Sequence, residues 1–510
     1  MADREVLVVL PAAAAGARVY FDDVGGGHEA IADAEGHVLF RPRIGTDCRD
    51  AFTFIEVKGA PGFRDYRQDA VLLRAGVDRQ IRIGMPMDPR RYGDTWLPPL
   101  APLVQRSPNA LVGPLRVIRH QAAQRFGFED ASGPRNVLFH IWYPAPRIWR
   151  DDRDRALRTL DTLAEAGYQG IHTMRALGAD ENRGDDDSPW WAGRTVNPAW
   201  AIDALVGLIG ASHERGLGVE LSLGHRFVRP REDRLDYTTR FCEAIHAAGL
   251  DEAIRFWIGG NEFYQNAEFG VSQQQIDIFK EEFAIVKRIL SPAPLCANGD
   301  AGANEDPDVH DGAGNVVPGG LRWGAKNSDL TVVHGTRDMP AAVKRAFGLW
   351  YFEGNPGSWP TAFLQDEPTG PGEGVSVARC DDPGYLAALY GMILLTGQAL
   401  CAVNGAGIWF RRDLDADPWF REIPHWLAEL PQDVASWDHE PGGHIWWWRG
   451  PSNRYATVTV EGWDPTPPRP LAAWKVIGPG GGIQEGAGND AFLRALKPGY
   501  HGALVVAEFA

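Results

Sequence analysis

Between residues 137 and 410 the sequence alternates short apolar runs with segments of helical periodicity, and no other feature limits the fold as strongly. Strand-like runs fall at 137–141, 170–174, 218–223, 254–258, 295–298, 330–333, 361–364 and 407–410. Between them, residues 151–166 place Ala156, Leu157, Leu160, Leu163 and Ala164 at the i, i+3/i+4 spacing of one helix face. Segments 200–215 and 273–290 repeat that stripe, the second through Ile276, Phe279, Phe283, Ile285 and Val286. Strands that alternate with helices specify a parallel sheet wrapped by helices. Eight such strands predict an α/β protein built on a closed (β/α)8 TIM barrel.

The flanks read differently. Residues 1–88 carry closely spaced β-branched and aromatic runs (EVLVVL, ARVYFDD, HVLFRPRI, AFTFIEV, AVLLRA, QIRIGM) separated by turn residues, the pattern of a small β-sandwich. The order GARVYFDD, AIADAEGHVLFRPRI, GAPGFRDYRQDAVLLRAGVDRQIRI resembles the carboxypeptidase-regulatory, prealbumin-like modules. That resemblance implies a spacer or a docking module for a larger assembly. Residues 89–113, with Pro89, Pro98, Pro99, Pro102 and Pro108, form a stiff linker. The barrel is expected over 114–430, opened by a hairpin around Asp130-Ala-Ser-Gly133 that closes its bottom. Beyond about 430, GGHIWWWRG, RYATVTVEGW, LAAWKVIGP and GALVVAEF predict a C-terminal β-sandwich over 431–510, with Trp446-Trp-Trp448 between it and the barrel.

Composition excludes several classes. The 510 residues are 44% hydrophobic and 23% charged, as expected of a folded globular chain. The net charge of −16, without a basic cluster, argues against a nucleic-acid partner, since phosphate binding needs concentrated positive charge. The five cysteines (Cys48, Cys242, Cys296, Cys380, Cys401) are scattered, so neither a disulfide framework nor a zinc motif is read. The acidic run 180–187 lacks EF-hand spacing and reads as a solvated loop. No Gly-rich stretch has Walker or dinucleotide spacing, so no cofactor or metal is expected. No apolar run is long enough for a membrane span. Asp3 and Glu5 spoil a signal-peptide n-region, so a cytoplasmic or virion-associated protein is expected.

In a parallel barrel, active sites form where strands end and the following loops begin. The polar residues at those positions are Arg175, His225, Asn261, Glu262, His334, Asp366 and Glu367, with Trp409 in the eighth run. The most specific segment is Arg255-Phe-Trp-Ile-Gly-Gly-Asn-Glu-Phe-Tyr264, an apolar strand running through two glycines into Asn261-Glu262. It resembles the fourth strand of the cellulase-like (clan A) superfamily of retaining glycoside hydrolases. Arg175 in GIHTMRALG, His225 in GVELSLGH, His334 in TVVHG and Trp409 in GAGIWF add to the resemblance.

The resemblance implies Glu262 as acid/base and Glu367, in Thr361-Ala-Phe-Leu-Gln-Asp-Glu-Pro368, as nucleophile. Departure of a sugar alkoxide needs a proton, and the oxocarbenium-like centre needs a neighbouring negative charge. Asn261 would then bind a substrate hydroxyl, Trp409 would stack under a sugar ring, and Arg175 and His334 would keep Glu367 ionised. Trp142, Trp190 and Trp191 are further rim aromatics for binding sugar. Two departures stand: Gly335-Thr-Arg337 replaces the aromatic after the strand-six histidine, and Gln-Asp-Glu-Pro replaces a Gly-Glu-Phe-Gly type at strand seven, so that a register slip of one residue would point Asp366 inward in place of Glu367. The expected activity is hydrolysis of an oligo- or polysaccharide with retention. The alternative is a catalytically inactive carbohydrate-binding or structural protein, such as a phage virion component, on the same barrel.

Overall fold

A computed structural model describes residues 6–10, 14–23, 26–40, 50–60, 66–74, 79–82, 91–92, 95–96, 106–121, 123, 125–173, 198–222, 231–259, 273–298, 309–310, 316–317, 327–334, 342–343, 346, 362–371, 381–408, 413–442, 445–496 and 501–510. The chain divides into two compact units. In the unit that contains Met1–Val104, strand Val6–Val9 pairs antiparallel with His37–Phe40 and parallel with Arg79–Arg82. A second sheet orders Gly26–Ile31, Arg18–Asp23, Asp50–Lys58 and Tyr66–Arg74. Val8, Leu10, Val38 and Phe40 from the first sheet region share one core with Val19, Ile55 and Val57 from the second. Two sheets with a common apolar layer make a sandwich.

In the other unit, eight parallel strands close into a barrel. They are β1 (Leu138–Ile141), β2 (Gly170–Thr173), β3 (Gly218–Ser222), β4 (Ile254–Ile258), β5 (Leu295–Asn298), β6 (Leu330–His334), β7 (Ala362–Glu367) and β8 (Ala399–Ala402). Closure is the β1–β8 pairing, Leu138 with Leu400 and Phe139 with Cys401. Phe139, Ile141, Phe256, Ile258, Ala297, Leu330, Val332, Ala362, Leu364 and Ala399 fill the interior. Every second residue of each strand faces inward and the residues between them are buried as well, so these strands, covered on both faces, read as nearly continuous apolar runs.

The helices α1 (Arg153–Ala166), α2 (Pro198–Glu214) and α4 (Gln273–Ile289) lie near their predicted positions, and α3 (Arg231–Ala247) adds a helix that the sequence reading does not place. The eighth strand does not. Residues 407–410 were expected to form it, whereas Gly405–Ile408 is a helical turn and the strand is Ala399–Ala402. Its boundary is set by Gly397, which ends helix α5 (Pro383–Leu395) with φ +76° and donates its N–H to the Leu394 carbonyl at 2.9 Å. A Cβ there would sit 1.9 Å from the Phe126 carbonyl oxygen, so only glycine fits.

The bottom of the barrel is plugged as expected by a hairpin, Arg116–His120, Arg125–Asp130 and Gly133–Arg135. Asp130 holds it by accepting from the N–H groups of Val112 and Ser132, both at 2.8 Å. Phe128 inserts beside Phe256, ring centroids 6.3 Å apart. Beyond the barrel, Asp438–Gly442, Ile445–Arg449, Arg454–Val460, Gly502–Phe509, Leu471–Ile477 and Ile483–Gly486 form one six-stranded sheet in that order. Among the described residues its faces are covered by helices rather than by a second sheet. The short helix α6 (Asn489–Ala495) supplies Phe492 to the core formed with Trp447 and Trp474. α5 lies on the opposite face, where Gly384 and Gly391 let it approach Gly502 and Leu504. Twelve of its thirteen residues are therefore buried, and its sequence is apolar all round. Trp448 points back to the barrel side, with the Arg125 guanidinium 5.8 Å from its ring centroid.

His140, on the outward side of β1, is 1% exposed between Tyr168 and Phe420, with ring centroids 4.8 and 5.0 Å away. Its Nδ1 donates to the Ile141 carbonyl at 2.7 Å. Burial lowers this imidazole to about 4, against that hydrogen bond. The unfolded chain therefore takes up the proton first as pH falls. His140 stabilises the fold fully above about pH 6.5, and this contribution is lost as pH falls through 4, to the extent of about 3 kcal/mol. Urea midpoints measured from pH 7 to 4 should fall less steeply for His140→Phe than for the wild type. Parallel curves would refute the assignment.

Candidate active site

The C-terminal ends of β6, β7 and β1 bring three polar side chains together. Glu367 ends β7, and its Oε1 accepts a hydrogen bond from the Tyr143 hydroxyl, two residues past the end of β1. His334 ends β6 with Nδ1 3.5 Å from Glu367 Oε2 and Nε2 3.0 Å from Asp366 Oδ1. One imidazole thus bridges two consecutive carboxylates. Consecutive residues of a strand normally face opposite sides, but here the ladder slips: Val333 pairs with Gln365 and His334 with Glu367. Asp366 is the extra residue of a bulge, which re-aims side chains at the strand end.

The two carboxylates differ in setting. Asp366 is 0% exposed, and burial pushes its carboxyl up to about 6 against the pull of His334. The Glu367 side chain retains 11% exposure. Burial, and then the charges of Glu367 and Asp366, hold the Tyr143 phenol well above its ordinary range, so it stays protonated and donates. A carboxylate held by a neutral donor and an imidazole at the barrel rim can act as a nucleophile or electrostatic stabiliser.

Of the residues expected from sequence, Glu367 and His334 meet. Trp142, expected at the rim, is 1% exposed, so its ring is covered by protein and presents no stacking platform. Its chain neighbour Tyr143 takes the site position instead. Asn261, Glu262, Arg175, His225 and Trp409 lie outside the described residues, as do Trp190 and Trp191. The strand that leads to Asn261-Glu262 is described to Gly259 and is firmly anchored. Arg234 of α3 donates to the Gly259 carbonyl and, through Nε at 2.6 Å, to Glu282 of α4. Glu282 also accepts from Trp257 Nε1 at 2.7 Å.

Sequence reasoning missed Tyr143, although a phenol just after the apolar run VLFHI was a visible signal. It also missed His172, Glu220 and Cys401, each fully buried on an inner strand. Burial, with the charge of His334 acting in the same direction, lowers His172 to about 3. Burial and then Asp366 raise Glu220 well above the carboxylate range, and burial followed by Glu220 raises the Cys401 thiol.

No known protein-family profile matches the chain. Over 143 residues it is 26% identical to the α-1,4-glucan:maltose-1-phosphate maltosyltransferase of Salinibacter ruber (strain DSM 13855 / M31), across 26% of this chain and 20% of that protein. The match thus spans about a fifth of the relative's length. Among solved structures, a candidate glycoside hydrolase of Bacteroides vulgatus ATCC 8482 is similar at 11% identity and TM-score 0.46, over 99% of this chain and 98% of the other. A glucosidase from Croceicoccus marinus gives 13% and 0.44, over 78% and 99%. The GH113 β-mannanase of Alicyclobacillus acidocaldarius gives 14% and 0.35, over 53% and 86%. The strand pairing that closes the barrel defines the fold. Among the described residues no helix is long and apolar enough to cross a membrane.

Proposed function

We propose that the chain is a retaining glycoside hydrolase, with Glu367 as nucleophile and Glu262 as acid/base. The observation that carries this reading is Glu367 at the rim end of β7, held by the Tyr143 hydroxyl and His334. It is supported by the anchored end of β4, which runs into Asn261-Glu262. The maltosyltransferase relative is named for chemistry of the same broad kind, transfer of a glycosyl group.

In the first step a Glu367 oxygen bonds to the anomeric carbon while the glycosidic C–O bond breaks, and the leaving oxygen takes the proton of Glu262. In the second step water attacks that carbon, Glu262 takes back a proton, and Glu367 leaves as carboxylate. This double displacement needs the two carboxyl groups about 5–5.5 Å apart. Asp366, enclosed and paired with His334, fits a supporting role rather than attack. Asn261 would bind the hydroxyl beside the reacting carbon, with Arg175, His225 and Trp409 lining the same face. The reading assigns the chemistry to residues 114–430. It leaves 1–88 as a docking module joined by the 89–113 linker, and 431–510 as a covering β-domain.

A panel of glycans and of 2-deoxy-2-fluoroglycosyl fluorides tests the mechanism, because the fluorine slows release of the covalent intermediate. Mass spectrometry should find one sugar on the peptide containing residues 365–368, at Glu367. Turnover with the adduct on Asp366, or with no adduct, would overturn the assignment of nucleophile. Glycan binding without any turnover would favour the inactive carbohydrate-binding alternative.

A further inference from the structure

Beneath the rim the barrel holds a polar set that hydrolysis does not use. His172 on β2, Glu220 on β3 and Cys401 on β8 are each 0% exposed. One ligand atom from each, an imidazole nitrogen, a carboxylate oxygen and the thiol sulfur, lie within 4.8 Å of one another. His172 Nδ1 is 3.5 Å from Glu220 Oε1, yet neither ring nitrogen and neither carboxyl oxygen has a partner with hydrogen-bond geometry. Buried polar atoms are almost always matched, so four unmatched ones converging from two strands on a buried thiol require an explanation.

We propose that His172, Glu220 and Cys401 bind one divalent transition-metal ion, zinc fitting the set best, inside the barrel. A neutral imidazole, a carboxylate and a thiolate carry two negative charges between them, which a divalent ion cancels. The same groups without the ion persist in the apolar interior only as neutral species. Nitrogen and sulfur donors select zinc-like ions over magnesium or calcium, which take oxygen ligands. Bonds of ~2.0–2.3 Å place tetrahedral ligand atoms about 3.2–3.8 Å apart, so modest side-chain rotations would close the present cluster around an ion. Three protein ligands leave the fourth position to water. As the ion enters, the carboxyl and thiol each release one proton to solvent. The ligands come from three distant strands, which is why no spacing motif announces them.

Metal content of the chain expressed with added zinc, and cobalt(II) titration after chelation, test the site without reference to turnover. One metal ion per chain is expected, with a thiolate-to-cobalt charge-transfer band that zinc abolishes. Cys401→Ser should lose the band, and Glu220→Gln should weaken cobalt binding by ~100-fold or more. Cys242→Ser, which alters a buried thiol outside the cluster, should keep both. Circular dichroism of each variant separates loss of the site from loss of the fold, and Glu220→Gln decides should Cys401→Ser not fold. Absence of bound metal in the wild type, a band that survives in Cys401→Ser, or unaltered affinity in folded Glu220→Gln would overturn the proposal.

Discussion

Replacing Glu367 by Gln is expected to lower kcat by ~10³-fold or more while leaving the fold intact, and Glu262→Gln should do the same. Gln preserves the volume of Glu367 and can still accept from the Tyr143 hydroxyl, so what is lost is the charge and, on the proposed mechanism, the attacking oxygen. The informative comparison is with Asp366→Asn. Asp366 is enclosed and contacts His334 rather than the rim, so losing its charge acts on the chemistry only through that imidazole. Its cost should be at least about tenfold smaller than that of Glu367→Gln. Steady-state kinetics on the best glycan from the screen decides the matter. Equal turnover in wild type, Glu262→Gln and Glu367→Gln would discard the hydrolase reading. An Asp366→Asn defect as deep as that of Glu367→Gln would move the nucleophile one residue back.

That comparison exists because the sequence left the register of β7 open. Alternation along a strand assigns Asp366 and Glu367 to opposite faces, and one residue of slip exchanges them. The bulge beside His334 escapes the dilemma by turning both toward the same imidazole, and nothing in Gln-Asp-Glu-Pro announces a bulge. Seven strands were legible because parallel strands buried on both faces read as short apolar runs bounded by turn residues. The eighth was hidden for a related reason. α5 is covered on all sides and has no amphipathic phase, so Ala399-Leu-Cys-Ala402 reads as its continuation. Gly397 was the available signal, and it is a one-residue signal.

The site was legible in the same uneven way. Polar residues that follow apolar strands stand out, which is how the sequence singles out Glu367 and His334, two side chains that the barrel brings within 3.5 Å. Polar residues within such strands do not, because a period-two reading expects a dry interior. His172 in GIHT, Glu220 in GVELS and Cys401 in ALCA each replace one apolar inward position, and only the closed barrel brings them together. Trp142 shows the converse error. An aromatic at a strand end looks like a sugar platform, but here it is packed away and the next residue faces the site.

Truncating Glu282 to Ala is expected to destabilise the protein by about 3–5 kcal/mol, the range for breaking a buried ion pair from one side. Glu282 is 0% exposed and Arg234 3% exposed, so neither charge recovers much solvation when its partner goes. The carboxylate accepts from Arg234 at 2.6 Å and from the Trp257 indole at 2.7 Å, and Arg234 also donates to the Gly259 carbonyl. Removing the carboxylate therefore costs two hydrogen bonds and takes the Glu282 charge away from a buried guanidinium. It also loosens the last described residue of the strand that leads to Asn261-Glu262. The double substitution Arg234→Met with Glu282→Leu should recover much of the loss in stability, because apolar groups of similar volume need no partner. The recovered protein should still turn over glycan more slowly than the wild type, since Arg234 no longer holds the Gly259 carbonyl. Urea unfolding of the four proteins in a double-mutant cycle gives the coupling. A loss below about 1 kcal/mol for Glu282→Ala would mean that solvent reaches the pair and that the network does not hold the end of β4.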